Sequence, residues 1–356
     1  MDKKKKIAIV VYTLKSGGLE RVVSNQTFLF HELGFDVDLF VLEDEIDYSY
    51  KGQLHKYDFK TSDGFLKKIK NYIKLKNEIQ SGNFDFILDH RYRLNDLIES
   101  FWIKKIYKNQ NVFYFIHSSD ISGYLNAKLV NNPKIKFVSV SQGIESKVKE
   151  IYPEIQIQTI YNNVEVSKSD KIFNEINDDY VLAVGRMDDS NVKQFDVLID
   201  CYSKSILPKN QIKLLILGSG IRMEFLKKQV LDLNLQDLVV FKGFESELYS
   251  YYKNARYLVL SSKFEGLGMV LIESLLCETP VISFDCDFGP NEIIQNKRNG
   301  LLVENQYVNK LIEAMNLFVE DENLYKICKS NALKSIEKFS KKNISKQWIS
   351  ILNDKH

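Results

Sequence analysis

Almost no excess charge remains when this sequence is summed: 49 Lys and Arg stand against 47 Asp and Glu, a formal net charge of +2 over 356 residues. That balance argues against a whole-molecule footprint for nucleic acid, so any anion must be met by a few placed side chains. Cysteine is scarce. Cys201, Cys277, Cys286 and Cys328 match no metal-ligand spacing and read as buried, reduced thiols. Long apolar runs are missing too. The basic start, Lys3 to Lys6, leads into an apolar stretch from Ile7 to Tyr12 that is too short for a secretory signal core, and no small-residue cleavage site follows. It reads as a first buried strand of a cytoplasmic protein. No run approaches the roughly 20 residues of a membrane span. A complete G-x-G-x-x-G is also absent, which removes the dinucleotide fingerprint.

What the sequence does have is length, and an alternating pattern. A chain of 356 residues is long for one core, so two domains are expected. Short β-branched runs at 7–12, 36–42, 84–88, 111–116, 136–140 and 157–160 alternate with helix-like stretches at 18–33, 64–80, 92–108 and 142–150. The scheme repeats with strands at 180–184, 212–217, 238–241, 257–260, 280–284 and 301–303. The intervening helices are expected at 193–205, 221–233, 245–253, 268–277, 290–296, 306–319 and 322–338. Such alternation predicts α/β architecture with parallel, doubly wound sheets. The polar segment Glu165 to Asp179 is the candidate linker. One helix stands apart: over 65–80, Leu66, Ile69, Tyr72, Ile73 and Ile79 fall at helical spacing among Lys67, Lys68, Lys70, Lys74 and Lys76. A basic amphipathic helix can lie on an anionic membrane surface. The plainer reading is a solvated helix whose apolar stripe packs on the sheet.

In open α/β sheets, ligands bind beyond the carboxyl ends of the strands, so residues there are the candidates for chemistry. The strongest local signal is Phe264-Glu265-Gly266-Leu267-Gly268-Met269, which follows a strand and opens a helix containing Glu273. Gly266 and Gly268 allow a ligand close to the backbone, and a helix N-terminus attracts anions. Gly185-Arg186 follows the strand at 180–184, with Lys193 seven residues beyond Arg186. Two cations at one strand edge can share a phosphate group. Weaker signals are Gly218-Ser219-Gly220, a strand running into a glycine turn, and Gly17-Gly18 after the first strand. His117 follows the strand at 111–116, where a histidine can donate to a sugar hydroxyl or a developing charge; Asp89, His90, Arg91 and Asp120 hold similar places. Isolated surface charges, a tight turn and a structural histidine are the plainer readings of these features.

Taken in order, these motifs resemble the family-4 retaining glycosyltransferases of the GT-B fold over almost the whole chain. The resemblance also draws on Phe241-Lys242-Gly243-Phe244, on the Glu265/Glu273 pair, on Gly289-Pro290 with Glu292, and on Asn299-Gly300-Leu301. It implies two Rossmann-like domains facing across a cleft: an acceptor-binding domain at 1–166, completed by a C-terminal helix at 339–356 that crosses back to it, and a donor-binding domain at 167–338. It implies that Arg186 and Lys193 bind the diphosphate of a UDP-sugar and that Glu273 holds the ribose hydroxyls. Glu265 and the backbone of Gly266, Leu267, Gly268 and Met269 would meet the donor sugar and its phosphate. Lys242, Gly243 and Phe244 would lie by the base, and Gly17 and Gly18 near the diphosphate, with His117 near the sugar. Gly185, Gly218 and Gly220 complete the donor site.

One departure is visible: the family's K-G-x-D pattern appears here as Lys193-Gln194-Phe195-Asp196, which would alter the loop locally. Two D-x-D strings, Asp36 to Asp38 and Asp285 to Asp287, match a metal motif only formally. The first lies within a predicted strand. The expectation is a metal-independent enzyme with no cofactor, the UDP-sugar being a substrate. Its acceptor would be an oligosaccharide or lipid-linked glycan of a bacterial surface polysaccharide or lipopolysaccharide, met at the cytoplasmic face of the inner membrane. Two other readings stand beside this one. A nucleotide-sugar epimerase would need the full dinucleotide fingerprint, which is incomplete here. A non-catalytic nucleotide-sugar-binding module would release no UDP.

Overall fold

The computed structural model describes residues 4–15, 17–59, 64–93, 95–132, 135–166 and 179–353. The chain divides into two compact units: Met1–Asn163 with Lys341–His356, and Val164–Ser340. The stretch expected as a linker lies largely outside the described residues, which omit 167–178.

The first unit is built on seven strands: β1 Lys6–Val11, β2 Asp36–Val41, β3 Gln53–Lys56, β4 Phe86–Asp89, β5 Val112–Ile116, β6 Lys136–Ser139 and β7 Ile157–Thr159. They lie in the order β3-β2-β1-β4-β5-β6-β7, every pairing parallel. Ile7 through Val11 are wholly buried, as a central strand covered on both faces requires. The chain order reverses between β1 and β4, which makes their carboxyl ends the natural binding crevice.

Two local features differ from the sequence expectation. Gln-Leu-His-Lys forms the edge strand β3, hidden by its polarity; it is held by His55, which stacks on Phe40 at 4.4 Å and bonds Asp38 at 3.0 Å. The helix expected over 92–108 begins only at Asp96, where the Asn95 side chain accepts from the N–H groups of Leu97 and Ile98. After Phe101 it widens into a π-helical turn, Trp102–Ile106, closed by Tyr107 N–H donating to Trp102 O at 2.7 Å. The C-terminal helix, Lys341–Asn353, completes this unit. Its Trp348 is buried edge-on against Phe30 at 5.3 Å and Phe113 at 6.3 Å, and lies beside Phe115 at 5.9 Å. Lys5 Nζ also reaches Leu352 O, at 3.0 Å.

The second unit carries β8 Tyr180–Val184, β9 Lys213–Leu217, β10 Val239–Gly243, β11 Leu258–Leu260, β12 Val281–Phe284 and β13 Gly300–Val303. The parallel order is β10-β9-β8-β11-β12-β13, which in the unit's own count is the doubly wound 3-2-1-4-5-6 arrangement. The reversal falls between β8 and β11. Tyrosines in this core bring their hydroxyls to backbone acceptors: Tyr202 to Ile212 O at 2.8 Å and Tyr257 to Met315 O at 2.9 Å. That satisfies polar groups which burial would otherwise penalise. All four cysteines are buried and unpaired with one another. Among the described residues, no helix is long and apolar enough to cross a membrane.

Candidate active site

The reversal in the second sheet selects the loops after β8 and β11, and these hold the two strongest sequence motifs. Beyond β8 the chain runs through Gly185 and Arg186 to Lys193. Beyond β11 it passes Ser261 and Ser262 to Glu265 and the helix Met269–Leu276. Side chains stitch the two loops together. Lys193 Nζ meets Glu265 Oε1 at 2.5 Å, and Ser262 Oγ donates to the same oxygen at 2.6 Å. Ser261 Oγ donates to Lys193 O at 2.8 Å, while Lys263 N–H donates to Val192 O at 2.8 Å. Glu265 N–H donates to Asp287 O at 3.1 Å, which ties in the loop after β12.

Glycine sets the approach. A Cβ on Gly185 would stand 3.0 Å from Lys193 Cγ, so the missing side chain is what lets the lysine stem pass over the strand end. Gly218 sits at φ 133, and a Cβ there would lie 1.8 Å from Gly185 O; the end of β9 can therefore approach the end of β8 this closely only with glycine at 218. Gly220, Gly243 and Gly268 also take positive φ, the last as N-cap of the helix Met269–Leu276. That helix carries no acidic side chain in its first turn, so nothing of its own opposes an anion at its N-terminus. Gly266 and Leu267 lie in the loop leading to it, and Leu267 is buried.

The charged residues differ in how they are held. Arg186 projects into solvent, 64% exposed, with Asp188 no nearer than 3.9 Å. Lys193 and Glu265 are mostly covered and paired. Each of the two cations thus has a carboxylate near it, Arg186 a loosely placed one and Lys193 a close one, so the two side chains differ in how readily they can turn to a phosphate. Glu273 is buried, and its Oε2 accepts from the hydroxyl of buried Tyr252 at 2.6 Å. Asp196 accepts from Asn191 Nδ2 at 3.0 Å and pairs with Arg222 at 3.2 Å, which fixes the first turn of the helix Phe195–Lys204. Gln194, in the place of the expected glycine, takes φ 49 and ψ 47. The left-handed turn that glycine would supply is therefore present, at a cost of about 1–3 kcal/mol in backbone strain. At the end of β10, Lys242 and Gly243 are partly covered and Phe244 is exposed.

In the first unit, Gly17 and Gly18 follow β1 and open the helix Gly18–Glu32. His117 follows β5, half-buried, with Nε2 2.9 Å from Nδ1 of His90. Burial, with the Arg93 cation nearby, holds the His117 pKa down to about 3. The same causes, together with His117 itself, hold His90 well below the ordinary histidine value.

The segment after β4 is a buried ionic cluster that sequence reading only touched. Arg91 is bracketed by Asp89 at 2.8 Å and Glu99 at 3.0 Å, with its guanidinium 3.5 Å from the Trp102 ring centroid. Burial alone would disfavour that charge, yet the two carboxylates hold the Arg91 pKa above its ordinary value. Arg93 donates to Tyr124 O at 2.9 Å and also to Phe115 O. The signal for this cluster was the run Asp89-His90-Arg91-Tyr92-Arg93 at the end of an apolar strand. Tyr252 carried no signal beyond its type. Of the D-x-D strings, Asp36 pairs with Lys4 at 2.7 Å and Asp38 with Lys6 at 3.1 Å, while Asp285 and Asp287 are exposed.

Comparison with known proteins bears on this arrangement. Residues 167–335 match the family model "Glycosyl transferases group 1". The N-acetylgalactosamine-N,N'-diacetylbacillosaminyl-diphospho-undecaprenol 4-alpha-N-acetylgalactosaminyltransferase of Campylobacter jejuni is 28% identical, over 98% of this chain and 99% of that one. The lipopolysaccharide 1,6-galactosyltransferase of Escherichia coli is 27% identical over 86% of each chain. Among solved structures, the pneumococcal O-GlcNAc transferase GtfA, determined with UDP and GlcNAc, superimposes with a TM-score of 0.79 over 99% of both chains at 12% identity. That last likeness concerns the fold alone. The epimerase alternative falls with these matches. The two Rossmann-like units are those of the GT-B architecture, and the chain is a glycosyltransferase whose second unit carries a glycosyl transferases group 1 domain.

Proposed function

We propose that this glycosyltransferase is of the retaining, family-4 type and moves a hexose or N-acetylhexosamine from a UDP-sugar to an oligosaccharide or lipid-linked glycan of a bacterial surface polymer. The observation that carries the reading is the coupled pair Lys193–Glu265 at the switch point, beside exposed Arg186 and a glycine-opened helix. Arg186 and Lys193 hold the diphosphate, which would draw Lys193 away from Glu265 and free that carboxylate for the donor sugar. The backbone from Gly266 to Met269 meets the sugar and its phosphate. Glu273, steadied by Tyr252, takes the ribose hydroxyls, and the segment Lys242 to Phe244 lies by the base. Gly17 and Gly18 serve the diphosphate and His117 the sugar.

The bond from the sugar's anomeric carbon to the phosphate oxygen breaks, and the acceptor oxygen bonds to that carbon on the same face. The acceptor proton passes to the departing phosphate. Placed cations stabilise the charge that develops on the leaving group, so this chemistry runs on side chains without a metal or other cofactor. Arg186→Ala and Lys193→Ala should each lower turnover about 100-fold or more, with folding intact by circular dichroism and UDP release in the presence of acceptor as the assay. Near-normal turnover in both variants refutes the assignment, and no UDP release from the parent protein points to a binding module.

The acceptor side of the proposal places the enzyme in the cytoplasm at the inner face of the membrane. The helix Phe65–Ser81 packs inward through Leu75 and Ile79 and leaves Leu66, Ile69 and Ile73 exposed. Leu97, Ile98 and Phe101 of the neighbouring helix are exposed as well, and Phe101 meets Tyr72 at 5.5 Å. An apolar face among lysines suits an anionic bilayer. The protein should sediment with phosphatidylglycerol vesicles at low salt and not with phosphatidylcholine. Equal binding to both removes the anionic preference, and binding to neither removes the membrane contact.

A further inference from the structure

We infer that His90 is a positioning residue that fixes the tautomer of His117, so that His117 presents a neutral Nδ1–H donor; its bearing on catalysis rests on the proposal that His117 serves the donor sugar. His90 lies at the carboxyl end of β4, next to Asp89, which is in register with Tyr114 of β5. That register brings the His90 ring onto Phe115, with centroids 3.9 Å apart, and its Nδ1 to 2.9 Å from His117 Nε2. Phe115 also stacks with His117, at 5.5 Å and 11° between planes. Packing thus fixes both rings before any ligand arrives.

A hydrogen bond between two neutral imidazoles has one donor and one acceptor, so the two tautomers are coupled. If His90 carries its proton on Nε2, that N–H is buried with no partner among the described residues. If it carries the proton on Nδ1, the buried Nε2 is a bare ring nitrogen. Orphaned buried N–H groups are the rarer case, and on Nδ1 the His90 proton has a partner 2.9 Å away. His90 therefore donates from Nδ1, His117 accepts at Nε2, and the His117 proton resides on Nδ1. That nitrogen makes no hydrogen bond among the described residues. A neutral donor in this position can bond a sugar hydroxyl oxygen without adding a charge to the site.

The sequence has five histidines, so their ring signals can be assigned by substitution. Long-range nitrogen–proton correlation on the histidine-labelled, full-length protein at pH 7 should show His117 protonated at Nδ1 and bare at Nε2. In His90→Phe, which keeps the stack on Phe115 but offers His117 Nε2 no donor, the His117 signals should no longer show one fixed tautomer and turnover should fall about tenfold. In a His117→Ala background, His90→Phe should change turnover no further. A wild-type His117 protonated at Nε2, or a tautomer unmoved by His90→Phe, overturns the inference. A His117→Ala enzyme with full turnover would instead refute the role of His117, and the spectra would still decide the tautomer.

Discussion

Two imidazoles kept neutral in the first unit should make that unit sensitive to mild acid. His117 titrates near 3 when folded and near 6.5 when unfolded. Its folded value is depressed, so below about pH 6.5 the unfolded chain takes up a proton that the folded chain refuses. Stability is whole above that pH and declines as the pH falls toward 3. The slope is about 1.4 kcal/mol per pH unit, so the 1.5 units from 6.5 to 5 cost about 2 kcal/mol from His117 alone. His90, depressed by the same burial, adds to the loss with the same sign. Both tryptophans, Trp102 and Trp348, are buried in the first unit, so intrinsic tryptophan fluorescence follows that unit. Urea unfolding at pH 7 and pH 5 should show the loss in the parent protein. In a double variant, His90→Phe with His117→Phe, the loss should shrink by at least about 2 kcal/mol, because the substituted rings do not titrate. An unchanged loss in the double variant would refute the claim that these rings are neutral in the fold.

Other perturbations follow from single contacts. Tyr252→Phe strips a donor from the buried carboxylate of Glu273, so calorimetry should show UDP binding weakened several-fold, and stability should fall by about 1–3 kcal/mol; unaltered binding would detach Glu273 from the nucleotide. Gln194→Gly relieves a left-handed residue at φ 49 and should raise stability by about 1 kcal/mol in urea, and a loss would mean that the side chain's packing outweighs the strain. Trp348→Ala removes the ring seated on Phe30, Phe113 and Phe115 and should cost about 3–5 kcal/mol, read by circular dichroism.

The elements that sequence reading placed well are those whose signal is local. β1 and β8 are uninterrupted apolar runs ending at a polar or glycine turn, because both faces of a central parallel strand are covered. Gly185, Gly218 and Gly268 were visible because glycine after a strand or before a helix has few other uses. β3 was not visible, since an edge strand has one side open and can be written Gln-Leu-His-Lys. The helix start at Asp96 was missed for a related reason. The residues at its expected start, Tyr92 and Arg93, are aromatic and charged and read as the beginning of a surface helix, whereas both precede the helix, Tyr92 exposed and Arg93 buried.

What the chain order withholds is which side chains meet across neighbouring strands. His90 and His117 stand 27 residues apart, and each alone is an ordinary strand-end histidine. Their pairing depends on the register that sets Leu88 beside Phe113 and Asp89 beside Tyr114. Slipping that register by one residue would turn the side chains of β4 to the opposite face and separate the rings. Gln194 carries the complementary lesson. Its identity departs from the expected glycine, yet its backbone keeps the left-handed shape, because Asn191, Asp196 and Arg222 hold the turn from outside. A motif letter can change where neighbours determine the conformation. Gly218 has no such freedom: a side chain there would collide with the carbonyl of Gly185, whatever the neighbours do.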